Sequence, residues 1–146
     1  MRDLVDDGGM DATRGSGIEP RIDGVIVCVR NMRQTLAFYR LLGLEMPAVP
    51  DGEGFVTLQH HGLHLAWCSD PAERALDPGR RRPTGHGQAR LTVRCGTCFD
   101  VDVLYRKVVE AGCPVLLEPC DAPWGARCCR VLDPDGVVVE LFAPFP

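Results

Sequence analysis

The sequence predicts an α+β fold in which one βαβββ unit is followed by a second, the two together forming a cupped mixed sheet. Three observations carry this reading: β-branched runs of strand length, two helix-period segments each closed by a glycine, and the same element order in both halves. With 146 residues and 45% hydrophobic content the chain can bury one sizeable core, so both units belong to one domain, 21–146.

Taken in order, residues 1–20 hold Asp6, Asp7, Gly8, Gly9, Gly15 and Gly17, show no apolar period and end at Pro20, as expected of a flexible tail. The first module, 22–68, opens with Ile22-Asp-Gly-Val-Ile-Val-Cys-Val29, a β-branched strand. Asn31 caps a helix from about Met32 to Leu42 whose apolar face is Leu36, Phe38, Tyr39 and Leu42, with Gly43 just past its end. Leu44 to Val49 is read as a strand, then a Pro50-Asp-Gly-Glu-Gly54 turn leads to strands at Phe55–His60 and Leu63–Cys68, joined by His61-Gly62. Residues 69–87, rich in Pro, Gly and Arg and without periodicity, read as the linker. The second module, 88–143, repeats the order: a strand at Ala89–Cys95, a helix at Phe99–Ala111 closed by Gly112, and strands at Val115–Glu118, Ala126–Leu132 and Val137–Phe142. The last two are joined by Asp133-Pro-Asp-Gly136.

A helix covers one face of each half-sheet and leaves the other concave and open, so two halves make a cleft. Strand alternation then assigns residues to faces. A two-residue turn at His61-Gly62 pairs Gln59 with His64 and Leu58 with Leu65, which sends the first pair to the cleft and the leucines to the helix. By the same parity Gly24, Ile26 and Cys28 face the cleft, as do Arg90, Thr92 and Arg94 in the second module and Val138, Glu140 and Phe142 in the last strand.

Composition narrows the function classes. A formal charge of −4 gives no field for nucleic acid, and the Arg80-Arg-Arg82 run reads as a solvated loop. No apolar run has the ~20 residues needed to cross a bilayer, and the N-terminus lacks the pattern of a secretory signal, so a cytoplasmic protein is expected. The eight cysteines then read as free thiols: Cys95-x-x-Cys98 has no second such pair, and adjacent Cys128 and Cys129 point to opposite faces of a strand.

The segments Phe38-Tyr-Arg-Leu-Leu-Gly-Leu44, Pro123-Trp-Gly-Ala-Arg127 and Asp133-Pro-Asp-Gly-Val-Val-Val-Glu-Leu-Phe142 resemble the vicinal oxygen chelate superfamily, the glyoxalase, bleomycin-resistance and extradiol-dioxygenase group. The resemblance covers about Ile22 to Pro146. Within that group Leu63-His-Leu-Ala-Trp67, Ala122-Pro-Trp-Gly-Ala-Arg127 and Glu140-Leu-Phe-Ala-Pro-Phe-Pro146 look most like the mitomycin-binding and thiocoraline-binding proteins. This implies a glyoxalase/bleomycin-resistance fold and a homodimer with paired modules, whose two pockets hold a planar drug between aromatic side chains.

Metalloenzymes of the superfamily carry His, Gln or Glu at four equivalent strand positions, which here hold Gly24, His64, Arg90 and Glu140. Gly24 donates nothing and Arg90 repels a cation, so His64 and Glu140 remain as a two-ligand remnant and no metal or other cofactor is expected. Glu140 is alternatively a surface carboxylate on an edge strand, or the partner of Arg90 in an ion pair, and His64 a hydrogen-bonded cleft histidine. The candidate ligand-binding set is Trp124, expected to stack on an aromatic ligand, with His64, Gln59, Arg90, Glu140 and Trp67. The parity of Trp67 follows Leu65 toward the helix, which favours the core. The leading expectation is a non-catalytic antibiotic-binding self-resistance protein. The rivals are an enzyme of the same fold, either a metal-dependent lyase or dioxygenase or a metal-free tailoring enzyme with His64 or Glu140 as base, and a homodimer with no dedicated ligand.

Overall fold

A computed structural model describes residues 20–85, 87 and 89–146, so the expected tail falls outside the described residues except for Pro20. The first module consists of β1 (Gly24–Val29), α1 (Met32–Leu41), β2 (Phe55–His60) and β3 (Leu63–Ser69). After α2 (Asp70–Leu76) come β4 (Leu91–Arg94), α3 (Cys98–Glu110), β5 (Val115–Ala122), β6 (Ala126–Leu132) and β7 (Val138–Pro144). The strands form two mixed sheets, ordered β1-β3-β2 and β4-β7-β6-β5, with β1 parallel to β3 and β4 parallel to β7. This is the α+β architecture expected of a glyoxalase/bleomycin-resistance fold.

Local chemistry sets the boundaries. Asn31 caps α1 by accepting from the Gln34 N–H at 3.1 Å, while Thr97 and Asp100 form a reciprocal capping box at the start of α3. His61 (φ 49°) and Gly62 (φ 80°) make the two-residue turn, and the register follows as expected, Gln59 opposite His64 and Leu58 opposite Leu65. Val27, Val29, Leu65 and Trp67 pack with Leu36, Phe38 and Tyr39 of α1, and Cys129, Val131, Val139 and Leu141 with Val101 and Val108 of α3, in a single core.

Two segments depart from the expectation. Leu44–Val49 is not a strand, so the first sheet has three strands where the second has four. Pro47 and Pro50 lack the N–H that a ladder requires, and the segment instead packs Met46 into the core and offers the Pro47 carbonyl to Arg40. The linker, in turn, is not irregular throughout. Ser69 caps α2 through the Ala72 N–H, Pro71 lies in its first turn, and Asp70 and Glu73 are also there, complementing the helix dipole. The helix buries no side chain, so no apolar period announces it.

The modules meet at the Asp133-Pro-Asp-Gly136 turn. Asp133 is buried, accepts the backbone N–H groups of Asp135 and Val137 through one oxygen, and accepts the Tyr39 hydroxyl at 2.9 Å through the other. Asp135 accepts the Arg30 backbone N–H at 2.8 Å and the Thr35 hydroxyl at 3.0 Å, and Arg82 of the linker lies 3.6 Å away. The turn that joins β6 to β7 therefore docks on the start of α1. Among the described residues no helix is long and apolar enough to cross a membrane.

Candidate functional site

The side chains of β6 and β7 alternate between α3 and the opposite, concave face, which receives Cys128 and Arg130 from β6 and Val138, Glu140 and Phe142 from β7. Glu140 is not on an edge: β7 lies between β4 and β6, and the residue is 6% exposed. Its Oε2 accepts from Arg130 Nε at 2.8 Å, and Arg90 Nε lies 3.1 Å from the same oxygen. The ion pair with Arg90 is thus present, and Arg130, which sequence reasoning missed, completes a clasp. The hydrogen bond to Glu140 holds the Arg130 guanidinium above its ordinary pKa. The signal for Arg130 was available in part, since alternation from Cys128 puts it on the cleft face. Its alignment opposite Glu140 needs the β6–β7 register.

Next to this row Cys120 and Cys128 are cross-strand partners on β5 and β6. Trp124 stands at the tip of the β5–β6 turn, 66% exposed, where Gly125 takes φ 87°. The following Arg127 anchors that hairpin, reaching Asp102 on α3 at 2.8 Å and Asp121 at 2.9 Å.

The other candidates lie in the first module. His64 and Gln59 are cross-strand partners, as expected, and His64 Nδ1 lies 2.9 Å from Asp23 Oδ2. Gly24 pairs with His64 across β1 and β3, and a Cβ there would fall 1.9 Å from the His64 carbonyl oxygen. The missing side chain therefore opens no room in the cleft. It allows two backbones to approach, and the position is filled by the neighbouring strand. Trp67 is wholly buried against Tyr39 with ring centroids 5.3 Å apart, and its indole N–H has no acceptor. It belongs to the core, so the ligand contact proposed for it is not available on the cleft face.

The structure accordingly brings Arg90 and Glu140 together but leaves His64 and Gln59 in the other sheet and Trp124 exposed at the tip of the β5–β6 hairpin. Two cavities adjoin Arg90. One, of about 590 Å³, runs between β1 and the β4–β7 side, with Ile26, Cys28, Arg80, Arg82 and Val138 among its lining residues. The smaller, of about 270 Å³, is lined by Gly87, Arg90, Leu116, Leu117, Arg130 and Val138.

A divalent ion does not fit this donor set. Glu140 is already shared by two guanidinium groups and His64 comes from a different sheet, and among the described residues no cluster of three or more His, Cys, Asp or Glu side chains could hold a metal. The cysteines are unpaired. Burial pushes the Cys68 thiol up to about 11 and that of Cys129 to about 12, so neither is a ready nucleophile.

Comparison with known proteins agrees with this architecture. Residues 21–141 match the family model of the Glyoxalase/Bleomycin resistance protein/Dioxygenase superfamily, and the chain belongs to that family. Its fold is similar to that of a glyoxalase/bleomycin resistance protein/dioxygenase family enzyme from Burkholderia phytofirmans, with TM-score 0.72 and 18% identity over 84% of this chain and 98% of that one. A glyoxalase-related enzyme from Fulvimarina pelagi gives TM-score 0.70 and 20% identity over 84% and 87% of the two chains. A hypothetical protein from S. aureus gives 0.71 and 19% over 90% and 98%. A search of curated protein sequences gives no match.

Proposed function

We propose that this protein is a non-catalytic binding protein that sequesters a planar aromatic drug or natural product, as a self-resistance factor and as a homodimer. The observation that carries the reading is the clasped Glu140: the carboxylate best placed to serve a metal or to act as base is buried beneath two arginines. Arginine keeps its proton at any working pH, so the cluster can hold and orient charge but is poorly suited to passing protons. Trp124 supplies an exposed indole face at the β5–β6 hairpin tip, and apolar side chains beside the arginines supply ligand-burying surface.

The test uses a planar quinone such as an anthraquinone, dialysed against wild-type protein and Trp124→Ala. Binding with recovery of the quinone unchanged by mass spectrometry is expected, weakened about 2–10-fold in the variant for an aromatic contact of about 0.5–1.5 kcal/mol. Conversion of the quinone, or stoichiometric Zn, Ni, Fe or Mn in the purified protein, would overturn the reading in favour of an enzyme.

A further inference from the structure

Arg90 and Arg130 both face Glu140, Arg130 through a hydrogen bond and Arg90 as an ion pair. Each presents Nε to the one oxygen, at 3.1 Å and 2.8 Å, and among the described residues the Nη atoms of neither meet another carboxylate. The guanidinium has five N–H donors in a planar fork, and one contact through Nε leaves the Nη edge unused. Two positive charges against one negative leave an excess of one positive charge. Both arginines line the 270 Å³ cavity, whose remaining lining is Leu116, Leu117, Val138 and Gly87. Their side chains are 39% and 30% exposed, reachable from outside, while Glu140 is nearly covered.

From this we infer that Arg90 and Arg130 form an oxyanion-binding site, with Glu140 as its built-in spacer, that takes the carboxylate of an amphipathic ligand whose apolar body lies on Leu116, Leu117 and Val138. The inference rests on the binding-protein reading and narrows it to ligands bearing an acid group. Glu140 has two effects at such a site. It draws both guanidinium groups to one carboxylate oxygen, which lowers the cost to a ligand of ordering two long side chains, and its own charge opposes the incoming anion. The opposing charge keeps the site from being filled by any passing anion and leaves affinity to depend on the apolar body as well. Arg130 comes from β6 and Arg90 from just before β4, so the two sides of the site belong to strands flanking β7 on either side.

The probes are 2-naphthoate and its uncharged isostere 2-naphthamide, titrated calorimetrically into wild-type protein and into Arg130→Gln, Arg90→Gln and Glu140→Gln. Wild-type protein should bind the naphthoate at least tenfold more tightly than the amide. Each arginine variant should abolish that preference, and Arg90→Gln, at the more exposed position, provides the test should Arg130→Gln fold poorly. Glu140→Gln should tighten naphthoate binding severalfold and leave the amide unchanged, a gain that a merely structural carboxylate would not give. Equal binding of the two probes, or a preference that survives both arginine variants, would overturn the site. Should both probes bind equally and both be weakened in Trp124→Ala, the anion site falls and the aromatic-binding reading stands. Should acetate bind as well as naphthoate, with dependence on both arginines, the anion site stands and the aromatic reading falls.

Discussion

Replacing Tyr39 by Phe probes the joint between the modules with a single atom. The Tyr39 ring is buried in the core, and its hydroxyl donates to Asp133 Oδ2 at 2.9 Å. The other Asp133 oxygen is already held by two backbone N–H groups, so the variant leaves one buried carboxylate oxygen without this donor. A hydrogen bond to a charged group contributes about 1.5–3 kcal/mol, which for a chain of this size lowers Tm by about 5–10 °C. The pH dependence gives a sharper check. Burial holds the Asp133 carboxyl above its ordinary value of 3.8, with the Tyr39 hydrogen bond pulling the other way. A carboxyl raised in the folded state binds its proton more readily there than in the unfolded chain, so its ionisation costs stability as pH rises from 3.8 through the raised value. Without the hydroxyl that value rises further. The added cost of Tyr39→Phe is therefore fully present above the Asp133 pKa and shrinks as pH falls through it. Urea unfolding of both proteins from about pH 7 to about pH 4 measures this, and a difference that is pH-independent or below about 0.5 kcal/mol would refute the reasoning.

Gly24→Ala should destabilise by about 1–3 kcal/mol in the same assay, because its Cβ would meet the backbone carbonyl of His64 and force β1 and β3 apart. An unchanged midpoint would show that the strands part freely. In native protein at pH 7.5, iodoacetamide should leave Cys68 and Cys129 unlabelled, since burial raises both thiols, and reach half-buried Cys98 and Cys120 first. Peptide mass spectrometry reads this directly, and labelling of Cys129 at the rate found in urea would contradict it.

The seven observed strands, the two long helices and the cleft-face parity were legible in the sequence because each rests on a local repeat: period 2 in Ile22–Val29, helical spacing in Leu36 to Leu42, and a two-residue turn that fixes which residues oppose; the strand expected at Leu44–Val49 was not one. The Arg90–Glu140 pair was legible for the same reason. What escaped was non-local or lacked a period. The helix at Asp70–Leu76 has caps but no buried face. Gly24 was read as a position without a donor, and it is the β1–β3 pairing that shows a carbonyl where its side chain would be. Arg130 and Asp135 each look like a surface charge until β6 is aligned with β7 and the turn is docked on α1. Trp67 illustrates the strength of parity over motif, because alternation alone sent it to the core.

The Asp133–Asp135 turn also bears on cooperativity. Among the described residues the two sheets are not hydrogen-bonded to each other, yet this short turn gives α1 two carboxylates and gives the linker, through Arg82, a second tie to the same Asp135. If α1 loses its packing, two carboxylates buried in the second half lose their hydroxyl donors. In a chain built by repetition, this joint couples the two units and favours a single unfolding transition over two.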